Sequence, residues 1–468
     1  MTEWDEQTDI LVVGSGVAGL SAAIEARQAG ADVLVIEKMK VTGGNTRISD
    51  GGLAAPGNPI QKQVGVKDSP ELFYQDLLRA GLGLNHPRLA ALVAENAADA
   101  VNWTMNVLGV AYLDRLDRFG GHSVARCLTT RNHSGADIIK AQQTKFAQLG
   151  GVIRTRCQLT RLITDRHGAV SGAQVRSGGT FGKKDSGRIN HIRARRAVIM
   201  ATGGFGNDVR FRSLQNPALN ESIGSTNHRG ATADGLIAAL EVRAVPVHLS
   251  WIQLGPWGCA DETGYGRGAS FASYSVYPAG IVVDPATGRR IVNEWADRRQ
   301  RSDAILRTAH VCVGLVDTRG AGKASDSLKR CLARGYVKAF DSIADLAVAY
   351  GMPAGSLETT LDHYNRGVKT GERDAFGKPL DGAQRVDVPP FYAIRLWPKV
   401  HYTPGGVGIN TDAQVIDLDG RPIPHLFAAG EVCGGIHGAS RLGSCALTEC
   451  IIFGRIAGQQ AAAVNRNG

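Results

Sequence analysis

Short apolar runs broken by glycine turns open the chain. Residues 10–13 (ILVV) are uninterruptedly apolar, as a strand buried on both faces requires. Gly14-Ser15-Gly16-Val17-Ala18-Gly19 then reads as a tight turn, and LSAAIEARQAG has helical spacing closed by a glycine. DVLVIEK (32–38) is a second buried strand, and a glycine-rich loop, VTGGNTRISDGGLAAPG, follows it. The pattern is helical from about Pro70 to Leu108 and again over 135–149. GVIRTRCQLTRLITD and GAVSGAQVRS read as strands joined by a turn. RRAVIMATGGFG (195–206) is a buried strand running into a glycine loop, and residues 231–244 are helical.

The rhythm then changes. From Trp251 to about Trp397 aromatic residues, tight turns and short helices alternate without βαβ order. At Gly405 the earlier style returns, with IPHLFAAGE as a last buried strand and ALTECIIFGRIAGQQAAAV as a closing helix. The expected fold is α/β: a discontinuous Rossmann-like nucleotide domain over residues 1–250 and 402–468, with an inserted α+β cap, or clamp, over 251–401.

Composition narrows the class. A chain of 468 residues is too long for one compact domain. No apolar stretch of about 18 residues occurs, so no membrane span is expected. The first strand begins by Asp9, which leaves little room for a secretory leader, and a cytoplasmic location is expected. Eight cysteines, at 127, 157, 259, 312, 331, 433, 445 and 450, include no C-x-x-C pair and no C-x-x-C-H, so no metal, cluster or haem is signalled. Reduced thiols are expected. The formal charge of +10 could draw anionic substrates to a cleft. Without aromatic–basic interleaving, nucleic acid is not an expected partner. Oligomeric state is not legible.

Gly14-x-Gly16-x-x-Gly19 between a strand and a helix, with Glu37 ending the next strand, carries dinucleotide chemistry. The first glycine permits the turn, the second lets a pyrophosphate approach the backbone, and the third lets helix pack on strand. Helix N–H groups face the phosphates, and Glu37 can bond ribose hydroxyls.

Three further segments, TGGNT (42–46), ATGGFG (201–206) and LFAAGE (426–431), resemble the flavin-contacting loops of the fumarate reductase/succinate dehydrogenase flavoprotein family. The likeness is strongest to the soluble flavocytochrome c-type flavin domain, here without haem. It covers nearly the whole chain and implies FAD. The cofactor residues it implies are Gly14, Gly16, Val17, Ala18, Gly19, Glu37, Lys38, Gly43, Gly44, Asn45, Thr46, Ala201, Thr202, Gly203, Asp234, Gly430, Glu431, Arg441, Ser444, Ala446 and Leu447. Members that attach flavin covalently carry a histidine in the segment matching TGGNT; Asn45 there implies non-covalent FAD.

The resemblance also implies a catalytic set. HYTPGG matches a family motif whose histidine binds a substrate carboxylate, here His401. HGASRLGS matches one whose arginine clamps the same carboxylate, here Arg441. EWADRRQRSDAIL aligns Arg298 with a cap arginine that gives a proton to substrate carbon, although Arg299 and Arg301 are close competitors. The implied reaction exchanges hydride between flavin N5 and a CH–CH or C=C bond beside a carboxylate.

Departures bear on the substrate. Fumarate reductases of the family have a second carboxylate-binding histidine in Q-x-H-P, where WIQLGPWG has Gly255. Their proton-relay acid and arginine correspond to Ser273 and Val276 in FASYSVYPAGIVV. Tyr274 and Tyr277 in that segment are candidate substrate-binding phenols, and the roles of His122 and His133 are open. The expectation is one carboxylate held by Arg441 and His401, with a far end bulkier and less anionic than that of fumarate. The electron donor or acceptor is unidentified. Two other readings compete: a ketosteroid-type FAD dehydrogenase using the tyrosines, and a flavin electron-transfer subunit without substrate chemistry of its own.

Overall fold

The computed structural model describes residues 2–183 and 186–465. β1 (Glu6–Val13), α1 (Val17–Gln28) and β2 (Val33–Glu37) make the opening unit. β1 lies between β2 and the strand Arg188–Met200, parallel to both, and Pro422–Ala428 continues the parallel run beyond Arg188–Met200. Val13 is level with Ile36 on one side and Met200 on the other, and Ala428 is level with Met200. The carboxyl ends of these strands therefore share one sheet margin on both sides of β1, where α/β sheets bind ligands. The closing helix Cys445–Ala463 packs along α1.

Two expectations change in detail. The strand expected from Arg195 begins earlier, at Arg188, and takes in the basic run RINHIRARR. Its partner Val170–Ser177 runs antiparallel beside it, so alternate basic side chains can project outward while the apolar AVIM end enters the core. The long helical stretch near 70–108 is two helices, Pro70–Ala80 and Pro87–Asn106, each started by a proline in its first turn.

Residues 281–396 build a separate five-stranded antiparallel sheet, in the order Arg289–Arg290, Ile281–Asp284, Cys312–Val316, Phe391–Leu396, Val337–Phe340. Both faces are covered. Along its central strand Cys312 and Val316 join one apolar cluster, while Val313 and Leu315 join another. A two-stranded ladder, Gln253–Gly255 with Lys399–Tyr402, draws together the two crossings between the flanking segments. The helical run from Arg267 to Ala279 widens into a π turn at Ala272–Val276, which carries Ser273 and Tyr274. Among the described residues, no helix is long and apolar enough to cross a membrane.

Candidate active site

Two adjoining cavities lie at the shared sheet margin. The first, about 860 Å3, is lined by the β1–α1 turn, Glu37 and Lys38, residues 44–46, the 201–204 loop, Asp234 and residues 429–431. Gly14 has φ +110°, and a Cβ there would stand 2.2 Å from the Ala201 carbonyl oxygen, so the turn tolerates only glycine. Gly19 and Gly43 do not line the cavity. A Cβ at Gly19 would fall 2.0 Å from the Gly14 carbonyl oxygen, so this position serves helix–strand contact.

Glu37 is oriented by its surroundings: Oε2 accepts from the Ser15 hydroxyl (2.6 Å) and Oε1 from the Met39 amide (2.9 Å). Lys38 Nζ donates to Asp234 Oδ1 at 2.7 Å, tying two candidate residues to each other. Thr202 Oγ1 is buried with no partner among the described residues. A glycine cradle at a helix start, an acid at the end of β2 and an orphaned hydroxyl in the wall together fit a dinucleotide such as FAD.

The second cavity, about 920 Å3, shares Asn45, Thr46, Glu431 and Cys450 with the first. Arg298, His401 and Arg441 all line it, as do Ser444, Ala446 and Leu447. Each of the three side chains is placed by a local device. Asp297 caps the helix Arg298–Thr308 by accepting from the Gln300 amide, which fixes Arg298 in the first turn. The Arg298 guanidinium lies 4.4 Å from the Trp257 ring centre. Arg441 lies 4.7 Å over Tyr402, donates through Nη1 to the Leu442 carbonyl at 2.7 Å, and has a buried Nε without a partner among the described residues. His401 comes from the strand Lys399–Tyr402, with Nδ1 2.7 Å from the Thr226 hydroxyl.

Of the competing arginines, Arg299 pairs with Asp303. Arg301 packs 4.4 Å over Tyr277 and lines a larger outer cavity rather than the chamber.

Burial, then the Arg298 and Arg441 charges, push the His401 pKa well below the ordinary histidine value, so the ring is neutral at pH 7. Burial and the neighbouring guanidiniums of Arg441 and Arg301 likewise hold Arg298 well below the ordinary arginine value. Burial raises Glu431, although it accepts from the Thr403 amide at 3.0 Å.

Other candidates sit elsewhere or are committed. Tyr277 is buried with its hydroxyl donating to the Pro256 carbonyl, and it lines the outer cavity. Gly255 does not line the chamber; a Cβ there would stand 3.1 Å from the Trp257 ring and 3.4 Å from His401 Cβ. Tyr274 donates to Asp50 Oδ2 at 2.7 Å. His122 meets the Gly443 carbonyl through Nε2 at 2.9 Å, and His133 stacks edge-on to Tyr274. Asn45 Nδ2 donates to Asn227 Oδ1 at 2.7 Å. Asp50, Phe119, Thr226, Trp257 and Tyr265 line the chamber without having been anticipated. Only Asp50 carried a signal, through its place beside the TGGNT loop.

A family described as an FAD binding domain matches residues 9–447. Over 463 residues the chain is 43% identical to the acrylate reductase flavoprotein subunit of Shewanella woodyi, spanning 97% of this chain and 91% of that one. It is 34% identical over 469 residues to urocanate reductase of Eggerthella lenta, spanning 97% and 75%. A solved open conformation of a flavocytochrome c3 fumarate reductase matches with TM-score 0.76 and 32% identity, over 98% of this chain and 78% of that one. The glycine cradle, the paired cavities and these matches agree: the chain belongs to the fumarate reductase/succinate dehydrogenase flavoprotein family and is an FAD-dependent oxidoreductase.

Proposed function

We propose that the protein reduces the C=C bond of small α,β-unsaturated acids of the acrylate type, gripping their single carboxylate with Arg441 and His401. The observation that carries this reading is the convergence of Arg441, His401 and Arg298 on one chamber that opens onto the nucleotide cleft. The unsatisfied Nε of Arg441 is a buried donor suited to a carboxylate oxygen. One such charge pair at about 4 Å gains roughly 4 kcal/mol at an effective dielectric of 20. Neutral His401 adds a hydrogen bond from Nε2 when its Nδ1 accepts from Thr226.

FAD, when bound, supplies the hydride, and the residues named above hold it without a covalent bond. Arg441 and His401 orient the acid and withdraw charge from its double bond. Arg298 gives the second alkene carbon a proton from its guanidinium, and its lowered pKa eases that release. The aromatic lining of Phe119, Trp257, Tyr265 and Tyr402 excludes water. A mobile cap over 251–401, closing on a nucleotide domain of 1–250 and 402–468, belongs to the same reading. Electrons enter from a donor of the NAD(P)H, free-flavin or redox-protein class. The eight free, buried cysteines suit a reducing, cytoplasmic setting, which cell fractionation reads directly.

The test is anaerobic photoreduction of the holoprotein, then rapid mixing with acrylate, a β-substituted enoate, fumarate and a neutral enone. Flavin absorbance should return fastest with the monocarboxylic enoates and hardly at all with the enone. Acid denaturation of the same sample should leave all flavin in the supernatant. Equal reoxidation by the enone, or none by any acid, removes the proposal.

A further inference from the structure

The chamber also holds a carboxylate that the cationic grip does not explain. Asp50 lies between the short helix Gly44–Ile48 and the strand Leu53–Ala54 and lines the same cavity as Arg298, His401 and Arg441. Both its oxygens are engaged from outside the chamber's cations: Oδ2 accepts from the Tyr274 hydroxyl at 2.7 Å, and Oδ1 from the Gly52 amide at 3.2 Å. Its position is thus fixed rather than free to swing toward a guanidinium. The other carboxylate in the lining, Glu431, is already bonded to the Thr403 amide and to Asn45.

Tyr274 sits on the π turn Ala272–Val276, whose wider coil sets Ser273 in the chamber wall and Tyr274 against Asp50. Burial and the Asp50 charge push the Tyr274 phenol well above its ordinary pKa, so it keeps its proton and acts as a donor to Asp50. The oxygens of Asp50 retain lone pairs that can accept from a ligand.

Gly255 brings no side chain to the chamber, and a Cβ there would stand 3.1 Å from the Trp257 ring and 3.4 Å from His401 Cβ, so a larger residue would have to displace them. One carboxylate thus has an Arg–His grip, whereas a second one in the chamber meets a fixed negative charge.

We propose that the Asp50–Tyr274 pair reads the end of the substrate remote from its carboxylate, repelling a second carboxylate and admitting hydrogen, a neutral substituent or a hydrogen-bond-donating or cationic ring. The protein is then selective for monocarboxylic enoates over dicarboxylic ones. This rests on the reductase reading above and assigns the residues that exclude a second carboxylate. Asp50 is a specificity residue here; its charge also favours the protonated form of Arg298, which is why binding is read separately from turnover.

Asp50→Asn keeps the size of the side chain and an acceptor for Tyr274 while removing the charge. In the holoenzyme, kcat/KM for fumarate relative to acrylate should rise about tenfold, equivalent to roughly 1.4 kcal/mol. The gain should come from tighter fumarate binding, read independently by titrating the oxidised flavin spectrum with each acid. In the wild-type protein, monomethyl fumarate, which keeps one carboxylate and neutralises the other, should bind more tightly than fumarate.

That comparison needs no variant and stands if the substituted protein fails to fold. An unchanged fumarate/acrylate ratio, or equal binding of fumarate and its monoester, overturns the proposal. A common collapse of turnover on both acids with a displaced pH profile also overturns it, because Asp50 would then belong to proton delivery. If the wild-type protein turns over neither acid, the reductase reading is what fails. The binding titrations then decide the selection by themselves: tighter fumarate binding in D50N supports it, and unchanged binding refutes it.

Discussion

Arg298 and Arg441 line one chamber, but their surroundings assign them different work. Arg441 is packed over Tyr402, bonded to the Leu442 carbonyl, and left with an unsatisfied Nε, an arrangement that suits a standing anion. Arg298 sits over Trp257 at a helix start, and its hydrogen-bond partner Gln253 Oε1 is neutral and 3.4 Å away. Burial and two neighbouring guanidiniums disfavour its charge, which suits a proton donor better than a permanent clamp. Substitution should separate the two roles. Arg441→Gln should weaken acid binding, with a loss in kcat/KM of roughly 10²–10³-fold, because a buried charged hydrogen bond is worth about 2–5 kcal/mol. Arg298→Lys should instead lower the rate of flavin reoxidation by about 10²–10⁴-fold and leave the acid's dissociation constant nearly unchanged. Spectral titration of the oxidised proteins and stopped-flow reoxidation of the reduced ones give the two numbers. Equal losses in binding for both variants would merge the roles.

The elements that carry the site were unequally legible. The β1–α1–β2 unit announced itself because glycine spacing, apolar runs and a terminal acid each have a local physical cause. The five-stranded cap sheet did not, because its strands Ile281–Asp284 and Cys312–Val316 are buried on both faces and the strands are separated by helices and long loops, so periodicity alone could not pair them. The π turn bearing Tyr274 has no local sequence mark, and Trp257 enters the chamber only through tertiary packing. Arg441 and His401 were legible through flanking motifs, whereas Tyr277, plausible from sequence, has its hydroxyl on the Pro256 carbonyl.

The support beneath the Phe119 loop was equally hidden. Arg126 is fully buried and bonds Asp68 through Nε (2.8 Å) and Asp76 through Nη1 (2.5 Å), joining residues 50 or more positions apart. It thereby ties the loop that carries Phe119 and His122 to the helix Pro70–Ala80. Arg126→Met should cost about 3–5 kcal/mol, because the buried Asp68 loses its cation and Asp76 keeps only its pair with Arg79. Replacing Asp68 and Asp76 with apolar residues in the same protein should recover much of that loss. Thermal melts of the three proteins check this; a single variant as stable as wild type would show the triad to be dispensable.

At the scale of the whole molecule, buried titratable groups of opposite sign set a pH optimum for stability. Burial and the Arg126 charge lower His122 from 6.5 to about 4, and burial and Arg441 lower His437 to about 3. The unfolded chain binds those protons near pH 6.5 while the folded one does not, so their contribution is full above 6.5 and is lost as pH falls toward 4. Burial raises Glu449 from 4.5 to about 8, against the lowering effect of the Cys450 thiol. Its folded form keeps a proton that the unfolded form has released, so its contribution is full below 4.5 and is lost as pH rises toward 8. Each group contributes at most about 1.4 kcal/mol per pH unit. From 4.5 to 6.5 two histidines oppose one glutamate, and stability climbs at roughly one group's slope. The lowered His401 adds to that climb, and the raised Glu431 opposes it. Above 6.5 the histidine terms are spent and the glutamate term alone lowers stability. The thermal midpoint of the holoprotein, followed by flavin fluorescence, should therefore peak near pH 6.5. Glu449→Gln should flatten the decline between 6.5 and 8 while leaving the acid limb in place. A midpoint that keeps rising to pH 8 in the wild-type protein would show that Glu449 ionises freely inside the fold, and that its burial beside His437 carries no electrostatic penalty.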